Sequence, residues 1–377
     1  MVMFKTLKNY NFSGKTVLLR VDLNSPVVKG RIINNERIRQ SAKSILSLKK
    51  LNAKVVVLAH QGRKGDKDFT NLKQHAKLLK KYTSIDFVDD IYGERAQKKI
   101  RSLNPGEALL LDNVRFLDDE KNNEINSNYV KILSSLADIY VNDAFSVSHR
   151  EQASVTCFPK KMKSCIGPNM EKELISLEKI KMKNVLYILG GSKAEENMLF
   201  LQRNKKIIAG GKFGQLCMLA SGFKFGKHEK LLDTTSVKAL KNKLKKIYPI
   251  LPIDFAIKKS GKRKEISTEN FPNGYEIFDI GFDTIKLFKE EIKKAKAIFM
   301  KGPLGFVEEK QFRKGTIEIL RAVGNSGAFS IIGGGHLTTA IKQSKINKNK
   351  FDYISLSGGA LANYVAGEKL PGLEVLK

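Results

Sequence analysis

The sequence predicts an α/β protein with two lobes, each built on a parallel β-sheet. Its 377 residues exceed the length of about 250–300 residues at which single hydrophobic cores stop growing. Hydrophobic residues make up 42% of the chain, which is enough apolar material for two cores. Short apolar runs alternate with longer amphipathic stretches over nearly the whole length, and this alternation is typical of repeated βαβ units.

The first half of the chain contains the first set of predicted strands. These are Thr16–Val21, Lys54–Ala59, Ile85–Val88, Ala108–Leu111 and Asp138–Val141. Between the first two strands, Ile38, Ala42 and Ile45 fall on one face of a helix predicted over Glu36–Leu51, because they recur at helical spacing. Strand and helix therefore alternate as in a Rossmann-like lobe.

The second half repeats the pattern. Its predicted strands are Val185–Leu189, Lys205–Ala209, Ile250–Ala256, Ala297–Met300 and Ala328–Ile332. Between the halves, Met170, Leu174, Leu177 and Ile180 recur one turn apart in a helix predicted over Asn169–Met182. We therefore expect an N-terminal domain (1–169), an interdomain hinge helix (170–183) and a C-terminal domain (184–359).

Composition excludes several classes of protein. No apolar run approaches the 18 residues or more of a membrane helix. The segment Met1–Tyr10 lacks the apolar core of a secretory signal. The three cysteines, Cys157, Cys165 and Cys217, are too few and too irregularly spaced for a disulfide framework or a zinc site. We expect a reduced cytoplasmic protein that does not enter the membrane.

The positive charge is large and unevenly divided between two residue types. Lys and Arg total 68 against 38 Asp and Glu, a net charge of +30, and 55 of these bases are Lys and 13 are Arg. Residues 201–250 hold 12 basic and 2 acidic side chains, which fits a solvated lysine face or a nucleic-acid contact. Nine of the 13 arginines lie in the first 150 residues. Because arginine contacts phosphate and carboxylate with two hydrogen bonds, their placement indicates anion recognition.

Different residue types follow the strands of the two halves. In open parallel sheets, ligands bind at the carboxyl ends of the strands. In the first half these ends carry polar side chains, among them Asp22, Asn24, His60, Arg63, Asn113, Arg115, Asn142, Asp143, His149 and Arg150. In the second half they carry glycines and a lysine, namely Gly190, Gly191, Lys193, Gly210, Gly211, Gly302, Gly305, Gly333, Gly334 and Gly335. The first pattern predicts an anion pocket, and the second predicts a nucleotide cradle whose backbone amides approach phosphate.

The motifs at these strand ends are specific in combination. They are RVDLNSP (20–26), ERIR (36–39), LAHQGR (58–63), LDNVRF (111–116), VNDAF (141–145) with HR (149–150), MEKEL (170–174), LGGSK (189–193), DIG (279–281), GPLG (302–305), GGGH (333–336) and LPG (370–372). Together they resemble the phosphoglycerate kinase family over about Gly14 to Leu373. The residue sequences of several of these motifs are similar to those of the archaeal branch of the family.

The resemblance implies a two-lobed, hinge-bending kinase of glycolysis and gluconeogenesis. Its reaction is reversible phosphoryl transfer from 1,3-bisphosphoglycerate to ADP, which gives 3-phosphoglycerate and ATP, with Mg²⁺ bound to the nucleotide. The resemblance further implies that residues 360–377 return to the first lobe. We expect a monomer that does not bind nucleic acid despite the charge of +30.

The resemblance also implies roles for individual residues. Arg37 and Lys193 would act on the transferring phosphoryl group. Phosphoglycerate would be bound by Asp22, Leu23, Asn24, Arg37, His60, Gln61, Gly62, Arg63, Arg115 and Arg150. The nucleotide would be bound by Gly210, Gly211, Gly281, Lys301, Glu308, Gly334, Gly335, His336 and Leu337, and the amides of Gly358 and Gly359 would contact the transition state.

Four positions depart from the commonest family pattern. His336 stands where many members have an aspartate, so no protein ligand of the metal is assigned. Asn197 replaces a lysine, Lys301 replaces an asparagine, and Ser357 replaces a glycine. We hypothesise that Lys301 supplies the charge that Asn197 lacks. Two alternatives stay open: a nucleic-acid-binding protein on this scaffold, and a degenerate kinase that binds its ligands without turnover.

Several side chains have a structural interpretation at this stage. Arg20 is expected to pair with a carboxylate of its own lobe, and Cys217 is expected in a core. His149 is interpreted as structural, and His75 and His228 as surface residues.

Overall fold

A computed structural model of the chain describes residues 4–181 and 184–377. It divides into two compact units, residues 1–174 with 369–377, and residues 175–368. The first boundary falls inside a helix, Pro168–Lys181, whereas the sequence placed it at 169/170. The second boundary lies at 368/369, and the sequence placed it at 359/360. Residues 182 and 183 of the predicted hinge helix lie outside the described residues.

The first unit contains a parallel sheet with helices on both faces. Its strands are β1 Thr16–Arg20, β2 Val27–Val28, β3 Arg31–Ile32, β4 Lys54–Leu58, β5 Asp86–Phe87, β6 Ala108–Leu110, β7 Ile139–Asn142 and β8 Lys163–Ile166. Its helices are α1 Glu36–Lys50, α2 Lys73–Leu79, α3 Glu94–Arg101, α4 Asp118–Asn122, α5 Asn128–Ser135, α6 Ala153–Lys161 and the first turns of α7 Pro168–Lys181. The sheet order is β5-β6-β4-β1-β7-β8, and β2 and β3 form a separate hairpin.

The register of this sheet brings the strand ends together. Arg20, the last residue of β1, pairs with Leu58 of β4 and Asn142 of β7. The central strand is buried on both faces: Val17 and Leu19 pack into one apolar cluster and Leu18 into another. This two-sided burial is typical of parallel strands covered by helices. The loops after β1, β4 and β7 therefore leave the same edge of the sheet.

The second unit contains another parallel sheet and a smaller antiparallel one. Its strands are β9 Val185–Leu189, β10 Lys206–Ala209, β11 Asp254–Lys259, β12 Lys262–Ser267, β13 Ile277–Ile280, β14 Ala297–Lys301, β15 Phe329–Gly333 and β16 Tyr353–Ser355. Its helices, after the end of α7, are α8 Ala194–Met198, α9 Gly211–Ala220, α10 Val237–Leu244, α11 Phe282–Lys293, α12 Lys314–Asn325, α13 Gly335–Gln343 and α14 Gly359–Ala366. The parallel order is β10-β9-β14-β15-β16, and the antiparallel order is β12-β11-β13.

One predicted strand of the second unit is wrong. The sequence predicts Ile250–Ala256 as a parallel strand, but Ile250 forms only an isolated bridge with Ile208. The strand begins at Asp254 and pairs antiparallel with β12 and β13. Pro252 interrupts the apolar run, because proline has no backbone N–H to donate to a ladder. The two-lobed α/β class itself is confirmed.

The last short helix, α15 Pro371–Glu374, belongs to the first unit. The Gly372 N–H donates to the Ser148 carbonyl oxygen at 2.8 Å. A Cβ at Gly372 would lie 2.6 Å from the Val155 side chain, so the chain packs here without room for a larger residue. Within the described residues, no helix has the length and apolar content needed to cross a membrane.

The interpretation of His75 and His228 as surface residues is wrong, because both are buried. His228 Nδ1 accepts from the Ile277 N–H at 3.1 Å, and Nε2 lies 3.0 Å from Gln215 Oε1. The ring is therefore neutral, with its proton on Nε2. Burial lowers the pKa of His228 to about 4. Cys217, by contrast, is in the core as expected.

His228 makes the stability of the second unit depend on pH. A histidine whose folded pKa is lowered contributes stability that is complete above its unfolded pKa of about 6.5 and is lost as the pH falls toward 4. Between pH 7.5 and pH 5 we expect this group alone to lower the free energy of unfolding by about 2 kcal/mol. Urea unfolding of the wild type and of His228→Asn measures the effect. The variant should lose part of the pH dependence, whereas His336→Asn, at an exposed histidine of the same unit, should retain it. Equal pH dependence in all three proteins would contradict the assignment.

Candidate functional site

In the first unit, Arg37 is held against the loop after β1. Asn35 caps α1, and its Oδ1 accepts from the N–H groups of Arg37 and Ile38. The Arg37 guanidinium Nη1 donates to the Asn24 carbonyl oxygen at 2.8 Å and lies 3.3 Å from Asp22 Oδ2. The cap fixes the start of α1, and Arg37 lies in the first turn of this helix. Its guanidinium therefore lies beside the loop that follows β1.

Asp22 and Asn24 are ordered by their own neighbours. Asp22 Oδ1 accepts from the Asn24 N–H at 3.0 Å, which forms an Asx turn. Asp22 Oδ2 also accepts from the Ser146 hydroxyl at 2.5 Å, and Asn24 Oδ1 accepts from the Gly62 N–H at 2.9 Å. Ser146, on the loop after β7, was not predicted. Leu23 is fully buried, so neither its side chain nor its backbone is exposed to a ligand in this structure.

The loop after β4 is fixed by buried amides. The Gln61 N–H donates to Asn113 Oδ1, and Asn113 Nδ2 donates back to the Gln61 carbonyl oxygen at 2.7 Å. Gly62 has a positive φ of +67°, and a Cβ there would lie 2.6 Å from the backbone of Asp68. Arg115 donates to the Gly62 carbonyl oxygen. Gln61 and Gly62 therefore orient this loop and the guanidinium of Arg115.

Five arginines and His60 lie close enough for their charges to interact; the arginines are Arg20, Arg37, Arg63, Arg115 and Arg150. Burial first, and then the charges of Arg150 and Arg20, lower the pKa of Arg115 to about 10. Burial first, and then the charges of Arg63 and Arg20, lower the pKa of Arg150. Arg63 is exposed. Like charges gathered at one strand edge repel one another, and a bound dianion such as a phosphate monoester would offset that repulsion.

His60 lies at the base of this cluster. It is buried, and Nδ1 lies 3.1 Å from Arg20 Nη2. Burial is the main reason that its pKa lies well below the usual value. The surrounding positive charges, all of which act in the same direction, are Arg20, Arg115, Arg150 and Arg37. The sequence predicted Arg37, Arg63, Arg115 and Arg150 as ligands of one substrate. The structure brings these arginines close together within the first unit.

Asp143 is a strand-end carboxylate with a structural use. Its Oδ1 accepts from the N–H groups of Asn169 and Met170, at 2.8 and 3.0 Å. Its other oxygen accepts from the Ser44 hydroxyl and from Asn169 Nδ2. Asp143 thus ties the end of β7 to helix α1 and to the first turn of α7.

In the second unit, four helices begin at the carboxyl ends of parallel strands. The residues that precede them are Lys193 before α8, Gly210 before α9, Gly334 before α13 and Gly358 before α14. Helix N-termini present unpaired N–H groups and a positive dipole end, which favours phosphate. This edge of the sheet is therefore suited to the phosphates of a nucleotide.

The predicted nucleotide-binding glycines fall into two groups. A Cβ at Gly210, Gly211 or Gly281 would lie 2.1–2.7 Å from other atoms of the protein, so internal packing already requires glycine there. A Cβ at Gly334, Gly335 or Gly358 would meet no atom within 4 Å. This second group lies on open surface, and Gly334 also has a φ of +102° that disfavours other residues.

Lys193, Lys301 and Glu196 form one charged cluster. Glu196 Oε1 lies 2.9 Å from Lys193 Nζ, and Oε2 lies 2.9 Å from Lys301 Nζ. Lys301 Nζ also lies 3.3 Å from Asn197 Oδ1, and Asn197 Nδ2 donates to the Gly190 carbonyl oxygen. Burial lowers the pKa of Lys301. The ammonium of Lys301 therefore lies directly beside Asn197. This is the residue whose missing positive charge Lys301 was hypothesised to supply.

The remaining predicted nucleotide contacts differ in exposure. Glu308 and His336 are exposed, whereas Leu337 is buried in the core. No part of Leu337, backbone included, is exposed to a ligand in this structure. Among the described residues, no group of three or more His, Cys, Asp or Glu side chains is placed to hold a metal ion.

Comparisons with known proteins show which family the chain belongs to. The family model "Phosphoglycerate kinase" matches residues 7–368. Phosphoglycerate kinase of Methanothermus fervidus is 39% identical over 403 residues, covering 100% of this chain and 98% of its own. That of Methanopyrus kandleri is 37% identical and covers 98% and 97%.

Solved structures give the same result. The phosphoglycerate kinase crystal structure from Pyrococcus horikoshii has a TM-score of 0.90 at 35% identity and covers 99% of this chain and 98% of its own. The structure from Coxiella burnetii has a TM-score of 0.83 at 28% identity. The chain therefore belongs to the phosphoglycerate kinase family, whose members are phosphotransferases with a carboxyl group as acceptor.

Proposed function

We propose that the first unit binds phosphoglycerate and the second unit binds ADP or ATP together with Mg²⁺. The arginine cluster around Asp22 and Asn24 is the observation that carries this assignment. Arg63, Arg115 and Arg150 would bind the 3-phosphate, and Asp22 and Asn24 would bind the hydroxyl group. Helix N-termini at Gly334 and Gly358 would meet the nucleotide phosphates.

Transfer toward ATP consumption begins with a carboxylate oxygen of 3-phosphoglycerate. That oxygen forms a bond to the γ-phosphorus while the bond from phosphorus to the β,γ-bridging oxygen breaks, so ADP leaves and no proton has to move. Arg37 and Lys193 would stabilise the negative charge on the three equatorial oxygens. Mg²⁺ bound to the nucleotide would neutralise charge on the β- and γ-phosphates. The two substrates must meet in a site from which water is excluded, because acyl phosphates hydrolyse.

The direct test measures whether the full chain consumes Mg-ATP only when 3-phosphoglycerate is present. A second enzyme in the assay reduces the product, 1,3-bisphosphoglycerate, and so reports its formation. We expect saturable turnover with both substrates. ATP consumption that does not depend on 3-phosphoglycerate would refute the proposal. No turnover at all with a correctly folded chain would also refute it, and would favour the degenerate kinase. The same assay with GTP compares the two purine nucleotides.

Lys301 is proposed as a phosphate ligand of the nucleotide. Its buried ammonium already contacts Glu196, so it is held in place before the nucleotide binds. We expect Lys301→Ala to raise the KM for ATP severalfold and to leave the KM for 3-phosphoglycerate unchanged, because a positive charge for the nucleotide phosphates would be lost. Lys296→Ala is the matched control, since Lys296 is exposed at the opposite end of the same strand. Unchanged nucleotide kinetics in Lys301→Ala would overturn the role.

A further inference from the structure

A buried row of polar side chains runs through the first unit behind the arginine cluster. Its members are Glu120 on α4, Ser154 on α6, Arg20 on β1 and His60 after β4. Arg20 Nε donates to Ser154 Oγ at 2.8 Å. The Ser154 hydroxyl donates to Glu120 Oε1 at 2.6 Å, and the Ser154 N–H donates to Glu120 Oε2 at 2.7 Å. All four residues are at most 3% exposed, so water does not compete for these bonds.

The end of the row determines where His60 carries its proton. Arg20 Nη2 lies 3.1 Å from His60 Nδ1, and a guanidinium has only donors. Nδ1 must therefore accept, so the single ring proton lies on Nε2. Turning the ring by 180° would place a carbon against Arg20 and lose the bond. The geometry thus selects one tautomer without reference to any ligand.

The same contact disfavours the doubly protonated ring. An imidazolium would place an N–H of His60 against an N–H of Arg20, which is repulsive at this distance. The other charged groups that act on the ring are Arg115, Arg150 and Arg37, and all of them are positive. Glu120, the carboxylate of the row, contacts Ser154 rather than the ring. The charges of Arg20, Arg115, Arg150 and Arg37 therefore all favour the neutral form of His60.

Arg20 itself is fixed from three sides. Nη1 donates to the Val21 carbonyl oxygen at 2.5 Å, Nε donates to Ser154, and Nη2 faces His60. The sequence predicted a carboxylate partner for Arg20, and the structure supplies Glu120 through the Ser154 hydroxyl. Because the guanidinium is planar and its donors have fixed directions, anchoring Nε and Nη1 also sets the direction of Nη2.

We propose that Glu120, Ser154 and Arg20 are positioning residues that hold His60 as the neutral Nε2–H tautomer. In this form the ring offers phosphoglycerate a hydrogen-bond donor and does not act as a proton acceptor. The substrate's identity rests on the function proposed above, whereas the tautomer does not. A neutral donor suits this location, because it binds an oxygen of the acyl or carboxylate group without adding a further charge to the arginines.

The tautomer can be measured on the free, full-length wild type. Two-bond ¹⁵N–¹H correlations of histidine rings distinguish Nδ1 from Nε2 protonation, and the His60→Gln spectrum assigns the signals among the five histidines. We expect His60 to be protonated only on Nε2 from about pH 8 to about pH 5.5. A proton on Nδ1, or titration of His60 with an ordinary midpoint near 6.5, would overturn the proposal. This NMR measurement does not depend on turnover. The tautomer assignment can therefore be tested separately from the proposed function.

The role of the row is tested with Ser154→Ala, which removes the link between Arg20 and Glu120. We expect the spectrum of His60 to show both tautomers, and kcat/KM for 3-phosphoglycerate to fall about tenfold through KM. Ser330→Ala is the matched control, because Ser330 is equally buried in the second unit. A Ser154→Ala spectrum with the wild-type tautomer and unchanged kinetics would refute the positioning role. If this variant does not fold, the wild-type spectrum still decides the tautomer.

Discussion

Arg37→Ala is expected to lower kcat by about a thousandfold, the scale seen when a charge that stabilises a phosphoryl-transfer transition state is removed. The variant should fold normally, since Arg37 is only partly buried and its backbone N–H, which Asn35 caps, is retained. Stopped-flow or coupled assays at saturating substrates measure the change. A decrease in kcat, with smaller changes in KM, is the signature of an interaction made in the transition state.

Arg39→Ala is the matched control for this experiment. Arg39 lies on the same helix and pairs with Glu36 at 2.7 Å near the surface. Its removal should change kcat little, because its guanidinium contacts Glu36. The variant should also fold normally, because partly exposed ion pairs contribute up to about 1 kcal/mol to stability. If both variants lost activity equally, or if Arg37→Ala retained full turnover, Arg37 would have no special role in catalysis.

The second large effect is on stability, and it concerns Arg263. Arg263 Nη1 donates to Asp279 Oδ2 at 2.6 Å, and Asp279 is 2% exposed. Asp279 also accepts from the Gly315 N–H at 2.8 Å. Arg263→Met would leave this carboxylate buried without its cation, and we expect the second unit to lose about 3–5 kcal/mol of stability. Urea or thermal unfolding measures the loss.

Two further proteins sharpen this test. Lys258→Met removes a surface pair with Glu309 and should cost at most about 1 kcal/mol. In the double variant Arg263→Met with Asp279→Asn, the buried charge is absent, so part of the lost stability should return. If Arg263→Met and Lys258→Met lowered the free energy of unfolding equally, the buried pair would contribute no more to stability than the surface pair.

The fold was predictable because parallel strands leave a strong pattern. Runs such as Val55 to Leu58 are buried on both faces and are therefore continuously apolar, whereas the apolar residues of the helices between them recur at helical spacing. The antiparallel hairpin of β11 and β12 was not predicted. Its second strand, Lys262–Ser267, is only partly buried and contains charged residues, so it lacks an apolar pattern.

The candidate site was only partly predictable, for a different physical reason. Arginines are scarce in this chain, and their positions at strand ends predicted an anion pocket; the structure brings these arginines close together in the first unit. Ser154 and Glu120 left no such signal: they lie 34 residues apart on two helices, and only the fold brings them to Arg20. Burial of His228 was missed likewise, because its partners Gln215 and Ile277 come from distant parts of the sequence.

The assignment of residues 369–377 to the first unit has a consequence for synthesis on the ribosome. The whole of the second unit, residues 175–368, is translated before these residues appear. The Gly372 to Ser148 hydrogen bond and the packing of α15 on α6 therefore form after the second unit has emerged. The first unit, although most of it is made first, therefore needs residues that are translated after the whole of the second unit.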